Sequence, residues 1–172
     1  MVGLRQDMLL AVHAAVGAIA GDSVNHASVA FVLGLVSHFF LDMIPHGDIE
    51  LYNGYKGGGK VKRAVIFVAA DALATVAVIA FIVIKQDFAS PLCVSLGVLG
   101  GLLPDLMVGL SQVLKPKVQK GLVWRLKRFE KFHIENHHYL TRKLSLGDFD
   151  FKFRYGIVMQ VALLTWLVKM IV

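Results

Sequence analysis

Apolar residues gather in five runs along the chain, at roughly 4–20, 27–44, 64–84, 91–113 and 156–172. A helix that crosses a bilayer needs about 20 consecutive apolar residues. The third and fourth runs meet that length. The first is short and interrupted by His13, and the second is short unless it continues to Met43 and stops at Pro45, which breaks a helix. The pattern predicts an all-α, polytopic membrane protein with about five transmembrane helices in one domain over 1–172. Whether the first segment crosses completely or re-enters stays open at this level.

One further periodic stretch lies outside these runs. Between 118 and 138, Leu122, Leu126, Phe129, His133 and His137 fall on a narrow arc at helical spacing, while Lys120, Lys127, Arg128 and Lys131 lie mostly away from it. This predicts an amphipathic helix, either lying on the membrane surface or packed on the bundle. Both placements turn the histidines inward.

Composition agrees with a bilayer setting: 56% of the 172 residues are hydrophobic and only 17% are charged. The one cysteine, Cys93, sits in an apolar run, which excludes a disulfide framework and a cysteine zinc site within one chain and leaves a packed thiol. The first segment imitates a secretory signal, with Ala18-Ile19-Ala20 as a small-residue stretch. Asp7 and His13 within it argue for a retained helix. Lys and Arg then orient the chain. With five alternating helices, all of them except Lys85 and Lys169 fall on the side of the N-terminus, the 45–63 loop and the basic segment 114–155. Cytoplasmic loops carry that excess, so the expected location is the inner or plasma membrane, with the N-terminus cytoplasmic and the C-terminus outside.

Against this background the ionisable residues inside the apolar runs stand out. They are His13, His38 and Asp42, Asp71, and Asp105, on four different segments. Each is costly in hydrocarbon, by about 2.5–3.5 kcal/mol for an Asp at a helix centre, so such residues face a cavity and one another. In the orientation set by Lys and Arg, all five fall in the cytoplasmic half. Asp71 lies roughly 10 Å, and Asp105 roughly 12 Å, from the cytoplasmic end of its helix at 1.5 Å per residue. His38 and Asp42 share a face at i,i+4, as do His133 and His137. Pro45 turns the chain so that His46 and Asp48 can fold over the mouth. Histidines and aspartates without cysteine suit a divalent metal, zinc first among those that imidazole favours.

Other signals lead nowhere. Gly54 to Val61 nearly spells a phosphate-binding loop, but Val61 stands where Ser or Thr must hold magnesium. Gly97 and Gly101 form a G-x-x-x-G pair that signals close helix packing. Asp48, Glu130 and Glu135 read as solvated, and His26 as a surface residue of the opposite turn. The basic 114–155 segment, with Trp124 and Phe132 in it, reads as a contact for anionic membrane lipid. No nucleic acid is expected as a partner.

The early membrane histidine His13, "SHFFLDMIPHGD" from Ser37 to Asp48, "GGLLPDL" from Gly100 to Leu106 and "HIENHH" from His133 to His138 together resemble the membrane-bound metal-dependent hydrolases. These include inner-membrane hydrolases of the LexA-binding type. A more distant likeness reaches the zinc-dependent phospholipase C and single-strand nuclease superfamily. The resemblance covers about 10–140 and rests on short motifs. It implies an all-helical membrane protein with a metal site and hydrolytic activity. By motif it implies His13, His38, Asp42, Asp105, His133 and His137 as ligands. Leu106 and Met107 depart from the family's second aspartate after Pro-Asp, and the late motif differs from His-Arg-Gly-x-Thr-His.

The combined expectation is a metal-dependent hydrolase acting on a phosphoester or lipid-linked substrate from the cytoplasmic side. Its metal ligands are His13, His38, Asp42, His46, Asp105, His133 and His137. Asp71 is the expected base or a further ligand, and Lys120, Arg128 and His138 are the expected substrate contacts. The alternatives are a metal- or proton-coupled transporter, which needs polar groups across both halves of the bilayer, and a scaffold whose polar groups only pack helices.

Overall fold

The computed structural model describes residues 8–46, 61–85, 88–113, 120–145 and 152–171. Among these residues the chain is all-helical. The helices are α1 (Leu10–Asp22), α2 (Ala27–Asp42), α3 (Val61–Lys85), α4 (Pro91–Val113), α5 (Lys120–His137), α6 (Tyr139–Lys143) and α7 (Phe153–Ile171). Stretches 66–84 of α3, 91–111 of α4 and 153–171 of α7 are long and apolar enough to cross a membrane. The first two predicted spans are shorter than that: α1 has 13 residues and α2 has 16. Residues 54–60 of the rejected phosphate-loop match, Asp48 and the basic residues of 114–119 lie outside the described residues.

Local chemistry marks the ends of the elements. Ser23 Oγ donates to Ala20 O at 2.7 Å and closes α1. His26, exposed and extended, precedes α2, and its carbonyl accepts from Ala30 N–H at 2.9 Å. α2 ends at Asp42, three residues before Pro45. Ser90 Oγ accepts Cys93 N–H at 3.4 Å, and Pro91, which lacks the N–H that a first helical residue leaves unused, opens α4. Pro104 lies inside α4, which continues through it.

α1 is the hub. Ala11, Val12, Ala14, Ala15 and Ala18 are fully buried, and α2, α3, α4 and α7 all pack on this helix. Small residues make that possible. A Cβ on Gly17 would meet the carbonyl of Gly97, and a Cβ on Gly97 would meet the Gly17 carbonyl and the Gly21 backbone. Gly21 faces the Cys93 carbonyl, and Gly101 faces the His13 carbonyl. The two helices therefore run antiparallel, with residues 13 to 21 beside 101 to 93, close enough that only glycine fits between them. The predicted G-x-x-x-G pair is half of this seam. α2 closes the other side, where Gly34 faces Gly97 and Gly100 faces the Phe31 carbonyl.

α2 buries one stripe of Ala30, Gly34, His38 and Asp42, each four residues from the last. Its other faces expose Val29, Val32, Val36 and Phe40. α3 likewise exposes Leu73, Val76, Val83 and Ile84. Large apolar side chains left outward on long apolar helices are what lipid, not water, accommodates. α5 packs on α4 and α2 through Val123, Leu126 and His133. Its inner arc differs from the expected one at Leu122, which is exposed while neighbouring Val123 is buried.

Candidate metal centre

Four elements deliver side chains to one end of the bundle. α1 brings His13 in its first turn, α2 brings His38 and Asp42 in its last turns, α4 brings Asp105 just beyond Pro104, and α5 brings His133 and His137. His13, His38, Asp42 and His133 are all at most 1% exposed. Six of the seven expected ligands are thus gathered. His46, the seventh, is buried beside them, its ring 5.5 Å from that of His137.

His38, Asp42, Asp105 and His133 each offer one donor atom within 4.8 Å of the others. His38 Nε2 lies 2.9 Å from Asp42 Oδ2 and 3.6 Å from Asp105 Oδ1. His133 Nε2 lies 3.0 Å and 3.5 Å from the same two oxygens. The two Nε2 atoms are 2.9 Å apart. A tetrahedral zinc with bonds of about 2.0–2.2 Å separates its donor atoms by roughly 3.3–3.6 Å. The set is near that size and of the right chemistry, two imidazoles and two carboxylates, and it could hold a metal ion. His137 Nε2, 3.2 Å from Asp42 Oδ2, and His13 Nε2, 3.2 Å from Asp42 Oδ1, flank it.

The tautomer of His38 sharpens this. Its Nδ1 lies 2.7 Å from the Gly101 carbonyl, which can only accept, so Nδ1 carries the proton. Its Nε2 then faces Asp42 Oδ2 and His133 Nε2, each at 2.9 Å. A lone pair 2.9 Å from a carboxylate oxygen needs a cation or a proton between them. Gly101 lies next to Gly100, whose carbonyl loses its helical donor because Pro104 has no N–H. His46 is oriented the same way, its Nδ1 donating to Ile44 O at 2.7 Å.

Asp71 is elsewhere engaged. Its carboxylate accepts Leu10 N–H at 2.9 Å and Ala11 N–H at 3.4 Å, satisfying the otherwise unpaired N–H groups at the start of α1. Depth in the membrane matched it to the cluster, but its position around the bundle did not. In the structure it caps the start of α1 from α3, and the expected role as base or ligand has no contact with the cluster to support it among the hydrogen bonds of the described residues. Arg128 is exposed on the outer face of α5, over the Trp124 ring. His138 is half-buried ahead of α6, its carbonyl accepting from Arg142 Nε at 3.1 Å. The Lys120 side chain lies outside the described residues. Glu130, expected in solvent, turns inward and accepts from Ser111 Oγ at 2.9 Å.

Gln160 was missed by the sequence reading. It is buried on α7 and uses both ends of its amide. Oε1 accepts Leu9 N–H at 2.7 Å, and Nε2 donates to the His46 carbonyl at 3.1 Å. The last helix is thereby tied to the start of α1 and to His46. The available signal was an amide alone in the apolar stretch from Gly156 to Leu164. Asn136, which donates to Phe39 O at 2.8 Å and fastens α5 to α2, carried no comparable signal.

No family model, no curated protein and no solved structure matches this chain.

Proposed function

We propose that the chain is a membrane-embedded, metal-dependent hydrolase, acting from the cytoplasmic side on a phosphoester that is lipid-borne or lipid-linked. The observation that carries this reading is the buried His38–Asp42–Asp105–His133 group, with one donor atom of each within 4.8 Å of the others and His38 Nδ1 held by the Gly101 carbonyl so that Nε2 faces the group. A bound divalent cation, zinc by its donor set, would supply a Lewis acid and a water whose pKa falls towards about 7. His38 and His133 would hold it from two different helices, and Asp42 and Asp105 would neutralise its charge. His137 has the most open side chain of the clustered residues, 12% exposed, and takes the part of proton carrier at the accessible edge. The short motifs shared with the membrane-bound hydrolases favour the same reading.

The finer topology belongs to the same proposal. Gly21, near the end of α1, packs at the level of Cys93, in the first turn of α4. The tip of the α1–α2 hairpin thus reaches almost the far end of a helix long enough to span. This supports five crossings, and the one-sided Lys and Arg support a cytoplasmic N-terminus and cluster with the C-terminus outside. Transport is disfavoured because, among the described residues, the one metal-sized group lies at one end of the bundle.

Elemental analysis of the detergent-purified protein tests the reading, comparing wild type with the His38→Ala/Asp42→Ala double variant. About one equivalent of zinc or another transition metal, lost in the variant, is the expected result. It leads directly to a phosphoester substrate screen. A wild type that holds no metal after mild purification and add-back means that an imidazolium His38 pairs with Asp42, and the cluster is a packing network.

A further inference from the structure

Three exposed aromatic rings towards the cluster end of the bundle each pair with a cation. At Tyr139 and Tyr155 the cation also donates to the phenol oxygen, at 3.5 Å from Lys143 Nζ and 2.9 Å from Arg154. The Arg128 guanidinium lies 5.5 Å from the Trp124 ring centre, Lys143 Nζ 5.7 Å from Tyr139, and the Arg154 guanidinium 4.6 Å from Tyr155. They stand on three different helices, α5, α6 and α7. Exposed Arg125, Lys127 and Arg142 add positive charge on α5 and α6. The carboxylates of α5 do not offset it: Glu130 is turned inward to Ser111, and Glu135 is matched by Lys131 at 3.8 Å. Apolar Leu122, Phe132 and Leu144 are exposed among these groups.

A purely solvated basic face needs no such aromatic and aliphatic surface. Rings with an apolar body and a polar edge, each paired with a cation, suit the layer where acyl chains give way to phosphates. We propose that these three pairs form a collar that holds anionic phospholipids by their phosphates and seats the cluster end of the bundle in an anionic leaflet. The collar supplies the affinity for negative charge, and the exposed apolar side chains set its depth. The proposal rests on the membrane placement given above but not on a bound metal, so the two can fail separately.

The protein carries its own internal control. Its two tryptophans are Trp124, in the collar, and Trp166, near the other end of α7. The full-length chain is placed in phosphatidylcholine nanodiscs containing a minor fraction of lipid brominated next to the headgroup, as either phosphatidylglycerol or phosphatidylcholine. Single-tryptophan variants, Trp166→Phe and Trp124→Phe, isolate each signal. Trp124 is expected to report about fivefold local enrichment of the anionic lipid at low salt, shrinking as salt screens the charges. Trp166 is expected to be quenched equally by both lipids. The Arg128→Gln/Lys143→Gln/Arg154→Gln variant should bring Trp124 to equality while leaving the Trp166 signal unchanged. If that triple variant fails to assemble, Arg128→Gln alone should lower the enrichment. Equal quenching of wild-type Trp124 by the two lipids overturns the collar, as does a preference that survives these substitutions.

Discussion

Helices α1 and α4 meet in two chemically opposite ways along one contact. From Gly21 to Gly17 they touch backbone to backbone, with Gly97 and the Cys93 carbonyl opposite and no side chain between them. One turn further, at His13 and Asp105, they help enclose buried ionisable side chains. Gly101 belongs to both regions: its missing side chain admits the His13 carbonyl, and its own carbonyl accepts the hydrogen bond from His38 Nδ1. The comparison teaches that the dry seam positions the polar cluster. Glycine contacts leave no rotamers to adjust, so the helix separation is set, and donor atoms on different helices converge within a few ångströms.

The largest expected effect comes from breaking the seam. Gly97→Ala drives a Cβ into backbone on α1 that cannot yield, and should cost more than about 3 kcal/mol and release any bound metal as well. Gly109→Ala, with nothing within 4 Å of its Cβ, is the matched control and should leave thermal stability in detergent unchanged or slightly raised. If both variants behave alike, the seam does not hold the bundle. Asp42→Asn attacks the other region. It should abolish metal retention while the protein keeps its helicity and its monodisperse elution, since the seam is untouched; retention of the full metal content would remove Asp42 from the ligand set.

Gln160→Met tests the tie between the regions and the last helix. It leaves Leu9 N–H and the His46 carbonyl without their partner, at about 1–3 kcal/mol for each orphaned group. Hydrogen exchange should quicken at Leu9, and His46 should become reactive to histidine-modifying reagents while His38 stays protected. Unchanged reactivity at His46 would show that other contacts hold it. The smallest effect is expected at Ser111→Ala, which removes the hydrogen bond to Glu130 between α4 and α5 and should cost about 1 kcal/mol. A change in metal affinity there beyond about twofold would mean that α5 is held mainly by that bond and not by Val123, Leu126 and the Phe39–Asn136 contact.

Much of the seam and the cluster was readable in the chain. Gly97 and Gly101 announced close packing through their spacing, and His38 with Asp42 announced one face at i,i+4. The inner face of α5 is legible at Leu126 and His133 but not at its start, where Val123 and not Leu122 takes the buried position, because two adjacent apolar residues leave the phase of the stripe undecided. The contacts of Glu130 and Asn136 were not readable, since a polar residue on a half-buried helix has the same local pattern whether water or another helix lies opposite.

The aspartates show where the division falls. Apolar run lengths, the one-sided Lys and Arg, and the cost of burying charge determine from sequence alone an all-helical chain with membrane-length helices and a set of His and Asp at matched depth. Asp42, Asp71 and Asp105 are equivalent by those rules. Only the tertiary structure separates them, sending Asp42 and Asp105 to the cluster and Asp71 to the unpaired N–H groups of α1. The reason is geometric. Helical periodicity gives a residue its depth and its face, but the neighbour which that face meets depends on how the helices turn around one another, and here contacts far apart in sequence, glycine against backbone, decide that.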